Sequence, residues 1–251
     1  MDSLKTLIVI PCYQEASRLD PGKFTEFLQS NDDVGFVFVD DGSTDGTAAV
    51  IEDAVNRHPR RIAGLRNETN MGKGESVRRG VLYAADKAAC IGYWDADLST
   101  PLAAIPELVA ALDLYDAWLV MGSRLKITGH EIVRKPWRHY PGRVFATLAS
   151  LVTGHGFYDT QCGAKVFRSG IVESCFGRPF LSRWCFDIEL LLRLMESRDI
   201  DDVNTLESGL IEYPLRQWID SGDTRLQALD VLRMAADLGR IFYTYRLTSS
   251  R

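Results

Sequence analysis

The segment Ile91-Gly92-Tyr93-Trp94-Asp95-Ala96-Asp97 is an apolar run that ends in two carboxylates one residue apart. Side chains two apart on a strand point the same way. Asp95 and Asp97 can therefore grip a hard divalent cation, Mg²⁺ or Mn²⁺, and leave its other positions to water and phosphate oxygens. Such a metal neutralises a departing diphosphate. The plainer reading is that both aspartates cap the helix beginning near Ser99.

Two further segments carry similar chemistry. In Val37-Phe38-Val39-Asp40-Asp41-Gly42-Ser43-Thr44-Asp45-Gly46-Thr47 a strand runs into acids and glycines. A carboxylate there can accept from a base N–H or a ribose hydroxyl, although a tight turn with a capped helix explains Asp45 and Gly46 equally well. Adjacent Asp40 and Asp41 repel unless one has a partner. In Asn67-Glu68-Thr69-Asn70-Met71-Gly72-Lys73-Gly74 the chain enters a helix, where backbone N–H groups and Lys73 can meet phosphate. This is not a P-loop, because Asn67 and Glu75 stand where glycine and Ser or Thr are required. A dinucleotide fingerprint is also missing, since Pro11-Cys12-Tyr13-Gln14-Glu15 follows the first strand.

These residues need elements to hold them. Short apolar runs at Thr6 to Pro11, Gly35 to Asp40, Ile62 to Asn67, Cys90 to Asp95 and Ala117 to Gly122 alternate with helical patterns. That alternation predicts an α/β fold, whose parallel sheet gathers ligands at the carboxyl ends of its strands. Asp20-Pro21, Asp45 and Ser99-Thr100-Pro101 supply helix starts. Lys126 to Gly142, interrupted by Pro136 and Pro141, reads as a loop on the acceptor side. Helices are then expected at Arg143 to Val152, Phe186 to Ser197 and Thr224 to Tyr245. Val144 to Val152 is apolar nearly all round, so it is core, a subunit contact that would make a homo-oligomer, or a surface dipping into lipid. The C-terminal helix, with mixed charge on its polar face, reads as packed on the core.

Composition narrows the partners. A net charge of −5 and no basic run exclude general attraction to nucleic acid. Five cysteines without a Cys-x-x-Cys pair fit free thiols in a reducing, cytoplasmic setting. The apolar start is too short for a signal peptide, and no segment approaches the roughly 18 apolar residues that span a bilayer. His58, His130, His139 and His155 show no ligand spacing, although His139 or His155 can enter the site.

In this order IPCYQEASRL, VDDGSTDGT, NMGKGESVRRG, WDADLSTP, GSR, DTQCGAKVFR and RWCFDIELL occupy Ile10 to Leu191, about three quarters of the chain. The series resembles glycosyltransferase family 2, and within it the polyprenyl-phosphate sugar synthases, above all the dolichyl-phosphate glucosyltransferase branch. The resemblance implies a GT-A fold with a Rossmann-like, mostly parallel sheet flanked by helices. It implies one domain over residues 1–251: a nucleotide-sugar half at 1–124, an acceptor half at 125–223, and a C-terminal helix at 224–251.

It also implies roles. Pro11, Tyr13 and Glu15 would lie by the nucleoside, Asp40 and Asp41 by base and ribose, and Asn70, Gly72 and Lys73 by the diphosphate. Asp95 and Asp97 match the metal-binding Asp-x-Asp, with Asp95 also facing the donor. Arg124 would lie near sugar or acceptor, and Asp159 and Gln161 would close over the donor sugar. Asp187 falls where many relatives place the base, though it is equally suited to cap its helix. A phosphate acceptor needs no strong base, in which case Asp187→Asn costs little rate and Arg124 and Arg143 position the acceptor.

The implied reaction is transfer of a hexose, with inversion, from a nucleotide-sugar of UDP-glucose or GDP-mannose type to a polyprenyl phosphate at a cytoplasmic membrane face. The chain departs from these relatives in having Ser221-Gly222-Asp223-Thr224-Arg225 where they read Gly-Ser-Lys, and in showing no membrane helix, so a saccharide or protein hydroxyl stays open as acceptor. Two other classes compete. A haloacid-dehalogenase-type phosphatase shares Asp-x-Asp-x-Ser but places its acidic pair late, whereas Asp40-Asp41 comes early. A non-catalytic nucleotide-sugar-binding module would require loss of Arg124, Asp159 or Asp187, and all three are present.

Overall fold

The computed structural model describes residues 4–133, 136–197, 209–220 and 228–247. The central sheet takes its strands from β1 (Thr6–Cys12), β2 (Val34–Asp40), β3 (Ile62–Arg66), β4 (Cys90–Trp94), β5 (Leu119–Ser123), β7 (Ala164–Arg168) and β8 (Leu210–Pro214). Their spatial order is β3-β2-β1-β4-β7-β5-β8. All pairs are parallel except those of β7, which runs antiparallel to both β4 and β5. Strands β6 (Glu131–Val133) and β9 (Gln217–Ile219) form a separate parallel pair.

Alternation within each strand divides the core in two. Leu7 and Val9 of β1, with Val37 and Val39 of β2, face one layer, while Ile8, Ile10, Phe36 and Phe38 face the other. This is the period of two expected of a strand buried on both faces. Helix α3 (Lys73–Ala84) covers the first layer through Val77, Val81 and Ala84, joined by α6 (Val172–Phe176) and α7 (Phe186–Ser197). Helices α1 (Pro21–Gln29), α2 (Thr47–Arg57) and α4 (Ala104–Leu114) cover the second through Phe24, Ile51 and Leu108. The winding reverses between β1 and β4, so a crevice opens at their carboxyl ends.

A third cluster joins α5 (Pro136–Thr153), α7 and α8 (Ala228–Phe242) through Ala149, Val152, Ile188, Leu192, Leu238 and Ile241. A π-helical turn, Tyr243–Leu247, follows α8.

Three expectations need correction. The loop expected over Lys126 to Gly142 contains β6 and the opening turns of α5, which starts at Pro136. Proline is suited to a helix's first turn, where its missing N–H has no partner to lose. Strand β7 was not expected, because its five residues lie between turns and carry a lysine amid apolar neighbours. Ser99 to Pro101 precede a turn, and α4 itself starts at Ala104 with no side-chain cap. The expected helix start at Thr224 and the whole Ser221 to Arg225 motif lie outside the described residues, as do the side chains of His139 and Arg143.

Candidate active site

Strands β1, β2 and β4 end side by side, so the loops that follow them meet. After β1, Gln14 adopts a left-handed backbone with φ 54°. Its N–H donates to Ser43 Oγ at 3.0 Å, and the Glu15 N–H donates to Thr47 Oγ1 at 2.8 Å. Buried Glu15 is held by Arg18 through both carboxylate oxygens, at 2.6 and 2.9 Å. Tyr13 stays exposed beside them, and Pro11 is the last residue but one of β1. The two loops thus form one lip that joins the resemblance-implied nucleoside residues.

The adjacent acids Asp40 and Asp41 take different partners, which resolves their repulsion. Asp40 accepts from the Ser43 N–H at 3.0 Å and faces Arg66 at 3.3 Å, while its buried Oδ2 accepts no hydrogen bond. Asp41 accepts from Asn67 Nδ2 at 2.6 Å and from the N–H groups of Met71 and Gly72, both at 2.8 Å. Its carboxylate therefore organises the loop that leads into α3. Gly72 has φ 96°, and a Cβ there would meet Arg183. Arg183 itself donates to the Met71 and Asn70 carbonyls at 3.1 and 2.6 Å, binding this loop to the start of α7.

Lys73, the first residue of α3, places Nζ 2.5 Å from Asp95 Oδ1. Burial works against the Lys73 cation, but Asp95, Asp187 and Asp97 outweigh it and its pKa is raised. Burial likewise opposes the Asp95 anion, but Lys73, Arg124 and Lys165 hold its pKa below the usual carboxylate value. Asp97 turns one oxygen to the Ser99 N–H at 2.9 Å, in a turn where Leu98 has φ 51°. Asp95 lies against Gly163, where any Cβ would overlap its carboxylate.

On the far side of the crevice Arg124, just after β5, grips Asp159 by Nε and Nη2, both at 2.6 Å. Its guanidinium stands 5.3 Å from the Trp218 ring. Asp159 is anchored from behind, since Glu212 of β8 accepts the N–H groups of Tyr158 and Asp159, each at 2.8 Å. Burial raises the pKa of Glu212. Gln161 follows, with Nε2 buried and unbonded.

Asp187 takes partners from elsewhere in the sheet. Its Oδ1 accepts from Tyr93 Oη at 2.5 Å and from Lys165 Nζ at 2.6 Å, and the residue is buried. Ser182 instead serves the turn before α7, accepting from the N–H groups of Trp184 and Cys185 at 3.2 and 2.8 Å. Burial, then the Asp187 charge, push the Tyr93 phenol well above its ordinary pKa.

The structure therefore brings Lys73, Asp95, Asp97, Arg124, Asp159 and Asp187 to one crevice and sets Pro11, Tyr13, Glu15, Asp40 and Asp41 along its lip. Sequence reasoning missed Tyr93, Lys165 and Glu212. Lys165 had a signal: a lone lysine in the apolar run Ala164-Lys165-Val166-Phe167 must find a buried partner. Tyr93 and Glu212 had none. Among the described residues no group of three or more His, Cys, Asp or Glu is placed to hold a metal ion. No described helix is long and apolar enough to cross a membrane.

The chain is 31% identical over 254 residues to the dolichyl-phosphate beta-glucosyltransferase ALG5C of Trichomonas vaginalis, covering 96% of this chain and 72% of that protein. The fold is similar to that of mannosyl-3-phosphoglycerate synthase from Rubrobacter xylanophilus, with TM-score 0.71 and 16% identity, over 99% of this chain and 76% of that one. It is also similar to glucosyl-3-phosphoglycerate synthase from Mycobacterium tuberculosis, whose structure is a complex with Mn²⁺, uridine-diphosphate and glucosyl-3-phosphoglycerate. There the TM-score is 0.63 and the identity 17%, over 96% of this chain and 80% of that one. Residues 7–176 match the model of Glycosyl transferase family 2, and with the likeness to ALG5C this shows that the chain belongs to that family of glycosyltransferases.

Proposed function

We propose that this glycosyltransferase moves a hexose from a nucleotide-sugar, of UDP-glucose or GDP-mannose type, to a polyprenyl phosphate, with inversion at the anomeric carbon. The observation that carries it is the crevice of paired charges at the carboxyl ends of the parallel strands. Lys73 at the start of α3 and Arg124 after β5 flank the carboxylate of Asp95. A helix start, its N–H groups and a lysine suit a diphosphate. The two solved structures of similar fold are named as synthases of sugar phosphoglycerates, and ALG5C is named for dolichyl phosphate.

Asp95 and Asp97 would hold the divalent metal. The donor set fits, since two hard carboxylate oxygens with phosphate and water completing the shell is how Mg²⁺ and Mn²⁺ bind substrate phosphates. Lys73 against Asp95 Oδ1 supports this, because the position already attracts a cation. When bound, the metal would neutralise charge on the leaving diphosphate. The residues of the chain do the rest. The lip formed by Tyr13, Glu15 and Asp40 receives the nucleoside, and Asn70, Gly72 and Lys73 orient the diphosphate. Asp159, pinned by Glu212, fixes Arg124 toward the sugar and acceptor, and Gln161 lends its unbonded Nε2 to a sugar oxygen.

The acceptor reading rests partly on Asp187. Its Oδ1 already accepts from a buried ammonium and a phenol, so that oxygen is engaged within the fold. A phosphate acceptor brings its own anionic oxygen and needs positioning more than deprotonation. Such an acceptor would place the protein at the cytoplasmic surface of a membrane, with the exposed Leu148 and Leu151 of α5 on the side that meets it.

The test gives purified protein UDP-glucose or GDP-mannose, with Mn²⁺, and either a short-chain polyprenyl phosphate or a panel of saccharides. Transfer to the lipid phosphate is expected. Transfer only to saccharides would overturn the acceptor, nucleotide-sugar binding without any transfer would point to a binding module, and release of phosphate from simple phosphoesters would favour a phosphatase.

A further inference from the structure

We propose that Lys165 is a positioning residue for the glycosyl transfer: its fully buried ammonium ties the Asp159 to Gly163 segment to Asp187 and Tyr93, and so shapes the wall against which Asp95 lies. This rests on the donor site proposed above. Lys165 projects from β7, the one antiparallel strand of the sheet, between β4 and β5. Its side chain has no solvent exposure. Nζ donates to the Thr160 carbonyl at 2.9 Å, the Cys162 carbonyl at 2.7 Å and Asp187 Oδ1 at 2.6 Å, which uses all three of its protons.

The groups joined in this way come from three parts of the chain. Thr160 and Cys162 lie in the turn that carries Asp159 and Gln161, Asp187 lies in the first turn of α7, and Tyr93 comes from β4, two residues before Asp95. Gly163, next to Cys162, is the residue against which the Asp95 carboxylate rests. One side chain thus sets the height of the sugar-side loop, the start of α7 and the backing of Asp95.

A buried charge costs heavily unless it is paired and hydrogen-bonded, and an apolar group would pack this sheet position at lower desolvation cost. Stability alone is therefore a poor reason for a lysine here. Placement of the loop is a sufficient one, since misplacement of about 1 Å at a reacting centre can cost on the order of 100-fold in rate.

The experiment compares wild type, Lys165→Met, Asp187→Asn and the double variant, all full length. Three quantities are measured: melting temperature, amide hydrogen exchange over residues 159–163, and the affinity for UDP and for GDP with Mn²⁺. Each single variant should melt lower because it strands the other charge. The double variant should recover melting temperature, yet exchange at residues 160–163 should stay at least about tenfold faster than wild type and nucleotide affinity about tenfold weaker. Wild-type exchange and affinity in the double variant would overturn the proposal and leave Lys165 a purely structural ion. If the methionine variants do not fold, Lys165→Gln, whose neutral amide cannot replace the three-way ammonium tie, is read in the same way, and wild-type exchange with wild-type nucleotide affinity there overturns the proposal as well. Should wild type bind neither nucleotide, the donor reading falls, while the exchange result still decides the role of Lys165.

Discussion

At the scale of single residues, the site depends on where carboxylates find their partners. Asp95 and Asp97 leave the same strand, yet Asp95 meets Lys73 and Asp97 turns to the Ser99 N–H. Neither sits in the hydrophobic core, so Asp95→Asn and Asp97→Asn should fold. Each is expected to lower turnover about a thousandfold or more, because charge stabilisation of the diphosphate is worth several kcal/mol. Steady-state rates across a Mn²⁺ titration check this, and near-normal turnover in both, or activity in excess chelator, would reject a metal at this pair. Gly163→Ala offers a separate check that leaves every charge in place. The added methyl would overlap the Asp95 carboxylate and must displace it. Weaker binding of Mn²⁺ with nucleotide, by at least about tenfold in calorimetry, is expected alongside a folded spectrum.

At the scale of elements, a buried pair on α7 secures the C-terminal helix. Glu189 accepts from Arg193 at 2.7 Å, from Tyr245 Oη at 3.0 Å and from the Leu181 N–H at 2.7 Å. Arg193 also donates to the carbonyls of Cys175, Arg178 and Pro179. Both side chains are within 3% of complete burial. Removing one member of such a network strands the other, so Arg193→Met should cost about 3–5 kcal/mol. In a chain of this size that lowers Tm by on the order of 10 °C, which calorimetry would read. An unchanged Tm would mean that α8 is held by the apolar cluster alone. The FDIELL segment thus carries two different acids: Asp187 turned to the site and Glu189 turned to the fold, on one helix and two residues apart.

For the whole molecule, Lys73 and Arg124 flank Asp95 in the described crevice, and its acids Asp95, Asp97, Asp159 and Asp187 are each already engaged. A covalent intermediate on the protein needs a free nucleophile, so a single displacement is expected and an α-linked donor should give a β-linked product. The anomeric coupling constant of the product decides it, and retention would reject it. Much of this was legible in the amino-acid order alone. The apolar runs that end in VDDGS and WDADLS marked parallel strands with acids at their carboxyl ends, because alternation and local turn chemistry are properties of neighbouring residues. The segments between Ile10 and Leu191 indicated the family for the same reason, each being a local pattern. The antiparallel β7 and the partners of Asp187 were not legible. They depend on contacts between residues 22 and 94 positions apart, and sequence spacing says nothing of which distant side chain a buried charge will meet. Asp187 looked like a base or a cap when seen beside its own helix. Only the folded sheet, by setting Lys165 and Tyr93 beneath it, gave the carboxylate a third set of partners, because a buried ion takes whatever opposite charge the tertiary packing brings within reach.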